Sequence, residues 1–143
     1  MTWSMARSAD AYVDTSAFIA FADRSDTHHA LFRRLFSNPP AIVTTTLVVA
    51  EGHGWFLKRY DRTRGLQFLS LIEELTPLQV LAVGPDEHAA GAAVVRKYTD
   101  QDLTLTDAVG LALMTRDRIE RCWSTDHHLG LGGALLAIHD PGT

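Results

Sequence analysis

The feature that most constrains this chain is alternation. Short apolar runs of strand character recur between segments with helical spacing along most of its length. Ala11-Tyr12-Val13 is the first such run, and it ends at Asp14. Ser16 to Ala22 reads as a short helix carrying Phe18, Ile19 and Phe21. Asp26 is placed to cap a helix through about Phe36, with Ala30, Leu31, Leu35 and Phe36 on its apolar side. Asn38-Pro39-Pro40 stops it. Ala41 to Thr44 is the second strand, and Thr45 or Thr46 caps a helix running to about Lys58. Asp61 caps the next helix, through about Glu74. Gln79 to Val83 is the third strand. Asp86 caps a helix through about Tyr98 that is rich in small residues, from Ala89 to Ala93. After a polar loop, Thr106 caps a helix to about Thr115. Arg121 to Ser124 and Ala134 to Ile138 complete the set as strands four and five.

Strands separated by helices need crossover connections, so the sheet is expected to be mostly parallel and five-stranded. Crossovers are right-handed, which puts helices over both faces. No repeat, low-complexity tract or linker divides the 143 residues, and residues 1–143 read as one domain. The first ten residues lack an apolar signal core, and no run is long enough to span a bilayer. The one cysteine, Cys122, has no partner for an internal disulfide, so a reducing cytoplasm is the expected setting.

Ligands of open parallel sheets sit at the carboxyl ends of the strands. Asp14 directly follows the first strand. Asp126 lies just past the fourth. Asp107 stands at the first turn of a helix, and Glu51 lies one turn into the helix after the second strand. Four acids can therefore converge at one edge. Such a set suits a hard divalent cation, Mg²⁺ or Mn²⁺, bound through oxygen. Each acid also has a plainer reading. Asp14 can cap the Ser16 helix, Asp107 can complement a helix dipole, and Asp126 can cap the following turn. Glu51 is the hardest to explain away, because a carboxylate in an apolar helix is costly unless paired or ligating.

A net charge of −4 opposes binding to nucleic acid, whose affinity comes largely from phosphate neutralisation. Two divalent cations would contribute +4 and cancel it, inverting the local field. The basic residues are eleven arginines and two lysines, a composition suited to bidentate phosphate contact. Among them Arg7, Arg24, Arg59, Arg62 and Arg64 are candidates. The Lys58–Arg64 cluster, with Tyr60 inside it, is the best candidate for an RNA-facing or partner-facing patch, a solvated helix junction being the alternative. No repeated C-x-x-C or H-x-x-x-H pattern offers a zinc site. His127 and His128 are neighbours expected to point apart, so a shared ion is not expected there. Asp102 reads as a solvated loop acid. Thr15, Ser16 and Ser124 can orient water or a carboxylate, with capping the simpler role.

The acids sit within longer motifs. Val13-Asp14-Thr15-Ser16-Ala17 resembles the first motif of PIN domains, in particular the VapC-type toxins of toxin–antitoxin pairs. Thr44 to Glu51 resembles the second, Tyr98 to Ala108 the third, and Ser124-Thr125-Asp126-His127-His128-Leu129 the fourth. Asp26-Thr27-His28-His29 resembles a segment that follows the first motif. The four motifs fall in order across nearly the whole chain. Ser124 stands where a threonine is usual, and Leu129 where phenylalanine is usual. The resemblance implies an α/β fold, a three-layer α/β/α sandwich, and hydrolysis of RNA phosphodiester bonds with Mg²⁺ or Mn²⁺ on Asp14, Glu51, Asp107 and Asp126. Within that set Asp14, Glu51 and Asp107 are expected to hold the main metal, with Asp126 completing it or serving a second ion. It also implies a homodimer and a cognate antitoxin.

Other classes fit less well. An aspartyl phosphatase of the haloacid-dehalogenase kind needs Asp-x-Asp after the first strand, where this chain has Asp14-Thr15-Ser16. A nucleotide-binding domain needs a glycine-rich loop there. The remaining alternative is a catalytically weak PIN-like module that acts mainly by binding an antitoxin.

Overall fold

The computed structural model describes residues 9–143. Segment 1–8, with Arg7 and the expected absence of a signal peptide, lies outside the described residues. Five parallel strands form one sheet in the order β3-β2-β1-β4-β5: β1 (Ala11–Val13), β2 (Ile42–Thr45), β3 (Leu78–Leu81), β4 (Arg121–Trp123) and β5 (Leu135–Leu136). The three middle strands are apolar runs because helices cover both of their faces. Ala11, Tyr12, Val13, Ile42, Val43, Cys122 and Trp123 are all buried.

Chain direction decides which helices lie on which face. From β1 through β2 to β3 the sheet grows one way, through α1 (Thr15–Ala22), α2 (His29–Ser37), α3 (Thr46–Arg59) and α4 (Arg62–Glu74). The return from β3 to β4 runs the other way, through α5 (Pro85–Lys97) and α6 (Leu105–Asp117). Right-handed crossovers in opposite directions place the two helix sets on opposite faces. The first set packs through aromatic rings: Phe18 on Phe36 at 5.5 Å, Phe56 on Phe68 at 5.4 Å, and Phe36 edge-on to Trp123 at 5.0 Å. The second meets the sheet at Tyr12, whose fully buried ring lies against Gly110 of α6.

Register sets the working edge. Val13 is paired with Trp123, so Asp14 comes level with Ser124. The Asp14 amide donates to the Trp123 carbonyl at 3.0 Å and carries the ladder one residue past β1. On the other side the Thr44 hydroxyl donates to the Val13 carbonyl at 2.7 Å. The chain reverses direction across the sheet at β1, and the crevice between the carboxyl ends of β1 and β4 is the expected ligand position.

Several helix starts differ from the expected caps. Asp26 accepts from the His28 amide at 2.8 Å and closes a turn, and α2 begins three residues later without a side-chain cap. Gly84, not Asp86, precedes α5: Pro85 opens the helix and Glu87 accepts from the Gly84 amide at 2.7 Å. Thr104, not Thr106, caps α6, accepting from the Asp107 amide at 3.1 Å. The hydroxyl three residues ahead of a helical amide is the one that can reach it. The last strand shortens to two residues because the chain turns at once into a 3₁₀ segment, Ala137–His139. No helix of the described residues is long and apolar enough to cross a membrane.

A Cβ on Gly110 would lie 2.8–2.9 Å from two ring carbons and the hydroxyl of Tyr12. That ring is enclosed on the central strand and has little room to shift. Gly110→Ala is expected to lower stability by about 2 kcal/mol, overpacking outweighing the gain of roughly 1 kcal/mol in helix propensity. A urea midpoint equal to or above the wild type would show that the ring yields.

Candidate metal centre

Asp14 is 4% exposed and occupies the N-cap of α1. Its Oδ2 accepts from the Ser16 hydroxyl at 2.9 Å, the Ser124 hydroxyl at 3.0 Å and the Ser16 amide at 3.4 Å. The two hydroxyls lie 3.1 Å apart. Each is tied in turn to the β4 end of the crevice: the Thr125 amide donates to Ser16 at 3.0 Å, and the Asp126 amide to Ser124 at 2.9 Å. Capping alone therefore understates these serines. They orient a buried carboxylate and bolt the start of α1 to the segment after β4.

Asp107 is the second buried acid, 7% exposed. As the third residue of α6 it shares a reciprocal cap with Thr104, whose amide donates to Asp107 Oδ2 at 3.4 Å. Asp126 follows β4 and caps a single 3₁₀ turn, His127–Gly130, accepting from the His128 amide at 3.0 Å. Glu51 lies on α3 and is exposed. That overturns the expectation that it is a carboxylate forced into an apolar helix. It stands at the rim, on a face continuing through Gly54 and Trp55 to Lys58 and Arg59.

The electrostatics record how these acids meet. Burial pushes the Asp14 pKa up to about 6; the Ser16 hydrogen bond opposes this, and the charge of Asp107 adds to it. Burial also raises the Asp107 pKa, followed by the like charge of Asp126, with a smaller push from Glu51 after the opposing bonds to Thr104. Asp107 is thus the hub: it feels Asp126 and Glu51, and Asp14 feels it. Buried carboxylates with raised pKa values beside further acids, with hydroxyls holding them in place, are a donor set for a hard cation. The residues present fit such an ion. The charge of Asp126 weighs more on Asp107 than that of Glu51 does. Asp102 stays exposed in the loop before α6.

Two other expectations are corrected. Tyr60 and Arg64 are not free members of a basic patch. The Tyr60 hydroxyl donates to Asp23 Oδ2 at 2.9 Å, and Arg64 stacks 4.3 Å from the Tyr60 ring while donating to the Ala22 carbonyl at 3.3 Å. Burial alone would raise the Asp23 pKa, but the Ser25 hydroxyl and amide, Tyr60 and Arg64 outweigh it and hold it low. This latch joins the end of α1 to the α3–α4 turn and leaves Lys58, Arg59 and Arg62 exposed. His127 and His128 do not point apart. Their ring centroids are 4.3 Å apart, and Nδ1 of each turns toward Asp126 Oδ1. The signal in the sequence was the run Asp126-His127-His128 itself. The two side chains fold back toward Asp126, which directly precedes them, and so come together.

Residues 11–130 match the family model of the PIN domain, and the chain belongs to that family. It is 28% identical over 125 residues to the 23S rRNA-specific endonuclease VapC20 of Mycobacterium tuberculosis, covering 85% of this chain and 93% of that one. The crystal structure of that VapC20, described as a sarcin–ricin loop cleaving toxin, superposes with a TM-score of 0.80 at 21% identity, over 87% of this chain and 96% of the other. A toxin–antitoxin complex from Klebsiella pneumoniae superposes with a TM-score of 0.59 at 19% identity, over 88% and 94% of the two chains. This chain is therefore a PIN domain, homologous to an endonuclease toxin, in the three-layer α/β/α arrangement that the motif order implied.

The raised Asp14 pKa has a definite sign. Below about pH 4 the carboxyl is protonated whether folded or not, and it costs nothing. From pH 4 to about 6 the unfolded chain ionises first and stability falls. Above 6 the penalty is constant. In chelator, Asp14→Asn is expected to stabilise the protein at pH 7.5 by up to about 3 kcal/mol, with the gain gone at pH 4. Urea unfolding at both pH values checks it; an Asn variant less stable at pH 7.5 counts against a strained carboxyl. Tyr60→Phe is expected to cost about 1–2 kcal/mol through the lost bond to Asp23, measured in the same way.

Proposed function

We propose that this chain, read as one domain over residues 1–143, is the toxin of a type II toxin–antitoxin pair. It hydrolyses RNA phosphodiester bonds as an endoribonuclease using Mg²⁺ or Mn²⁺. The observation that carries this reading is a pair of buried acids, Asp14 and Asp107, at the carboxyl edge of a PIN sheet, with Asp107 pushed further by the charges of Asp126 and Glu51. Asp14 and Asp107 would hold the cation from the buried side. Asp126 would complete the set, and Glu51 would reach in from the rim. A divalent cation there supplies charge neutralisation for the phosphate and lowers the pKa of the attacking water.

The chain's own groups do the positioning. Ser16 and Ser124 fix the Asp14 carboxylate, Thr104 fixes Asp107, and the His128 amide fixes Asp126. A cation held there would offset the burial penalty on the Asp14 carboxylate. Lys58 and Arg59, on the same face of α3 as Glu51, extend the site as phosphate contacts for the RNA flanking the cut.

The partner in this reading is a cognate antitoxin, supported by the toxin–antitoxin complex among the similar structures. A homodimer in a reducing cytoplasm belongs to the same reading. The relative named as a 23S rRNA-specific endonuclease makes 23S rRNA the substrate to try first.

Cleavage of 23S rRNA and of a mixed RNA pool tests the proposal. Wild type is expected to cut with Mg²⁺ or Mn²⁺ and to stop in EDTA. Asp14→Asn and Asp107→Asn are expected to lose at least about 100-fold in rate, roughly the scale of one electrostatic catalytic contact. Equal activity in all three proteins removes the metal-site assignment. An inactive wild type that still binds an antitoxin points to the binding-module alternative.

A further inference from the structure

Asp126, His127 and His128 bring one carboxylate oxygen and two imidazole nitrogens within 4.8 Å of one another. We propose that they form a site for a zinc-class divalent cation, sharing only the Asp126 carboxylate with the acid cluster. Asp126 Oδ1 lies 3.0 Å from His128 Nδ1 and 3.9 Å from His127 Nδ1. Ligand atoms around a tetrahedral zinc ion stand about 3.4 Å apart, given metal–ligand distances near 2.0–2.1 Å. The observed pair of distances brackets that spacing, so small side-chain rotations complete a three-ligand set. Water takes the fourth position.

A hydrogen bond between Asp126 and His128 explains the shorter distance without an ion. It does not explain His127. That side chain is 80% exposed and free to swing into solvent. It instead lies over His128, with its Nδ1 turned to the same carboxylate oxygen. Two imidazoles gathered beside one carboxylate oxygen are the donor set that imidazole-preferring metals select over magnesium. Exposure of His127 also leaves the position open from solvent. The hard-oxygen cluster around Asp107 and this nitrogen-rich position thus offer different chemistry on either side of Asp126. The site goes beyond the nuclease reading and does not rest on it.

The test uses the full chain stripped with EDTA and titrated calorimetrically with ZnCl₂, then with CoCl₂ under visible absorption. Wild type is expected to take one Zn²⁺ per chain and to show the intense bands of tetrahedral Co²⁺. His127→Ala, a surface change that leaves folding intact, is expected to weaken Zn²⁺ at least about tenfold, the lower bound for losing even an outer-shell partner. His128→Ala is expected to do the same. Asp14→Asn is expected to leave Zn²⁺ affinity unchanged. Zinc bound as tightly by His127→Ala as by wild type overturns the site, and so does its loss in Asp14→Asn, which would place zinc on the acid cluster. Mn²⁺ titration is run in parallel. Zinc binding that survives where Mn²⁺ fails to bind supports this site and counts against the nuclease reading alone.

Discussion

At the carboxyl edge of the sheet, two serine hydroxyls 3.1 Å apart both donate to one oxygen of a buried aspartate. Ser16 belongs to the first turn of α1 and Ser124 to the end of β4, 108 residues away. Their bonds do three things at once. They supply partners for an anion that burial would otherwise leave unsatisfied. They hold the β1–β4 register at the level of Asp14. They also anchor the segment that carries Asp126. The segment leading into the 3₁₀ turn with its histidines is tied directly to that clamp through the Thr125 and Asp126 amides.

The clamp does not remove the strain. Asp14 remains hard to ionise, and Asp107 beside it is pushed the same way by burial and by Asp126. A fold selected for stability alone would place other residues here. Holding like charges together by burial and hydroxyl bonds makes sense where a cation arrives to neutralise them. The net charge of −4 belongs to the same picture, because part of it is concentrated at one edge rather than spread over the surface. Of the Lys58–Arg64 cluster, Lys58, Arg59 and Arg62 remain exposed around the end of α3, while Arg64 is drawn into the latch with Tyr60 and Asp23.

Much of this was legible in the chain. The alternation of apolar runs and helical segments set the parallel sheet. The position of Asp14 directly after the first run placed it at the carboxyl edge. What sequence reasoning misjudged was local and depended on geometry. Thr104 and Thr106 are equally good capping residues, and only the direction in which the loop enters α6 selects Thr104. Glu51 has apolar neighbours along the chain, but the turn of α3 carries it outward, so burial inferred from neighbours failed. Tyr60 sits among arginines, but it is engaged by Asp23, 37 residues away. His127 and His128 are expected to diverge as neighbours on a turn, but both rings fold back toward Asp126.

The sequence by itself determined the α/β fold class and the mostly parallel sheet, and it singled out the four acids as candidates, because periodicity and motif order are local and survive without coordinates. Only the tertiary structure decided how those acids rank. Which carboxylate is buried, which serine reaches it, and which charges feel one another depend on strand register and on the angles at which α3 and α6 meet the sheet. These are products of long-range packing, in which one residue of slip or a fraction of a helical turn reverses the answer.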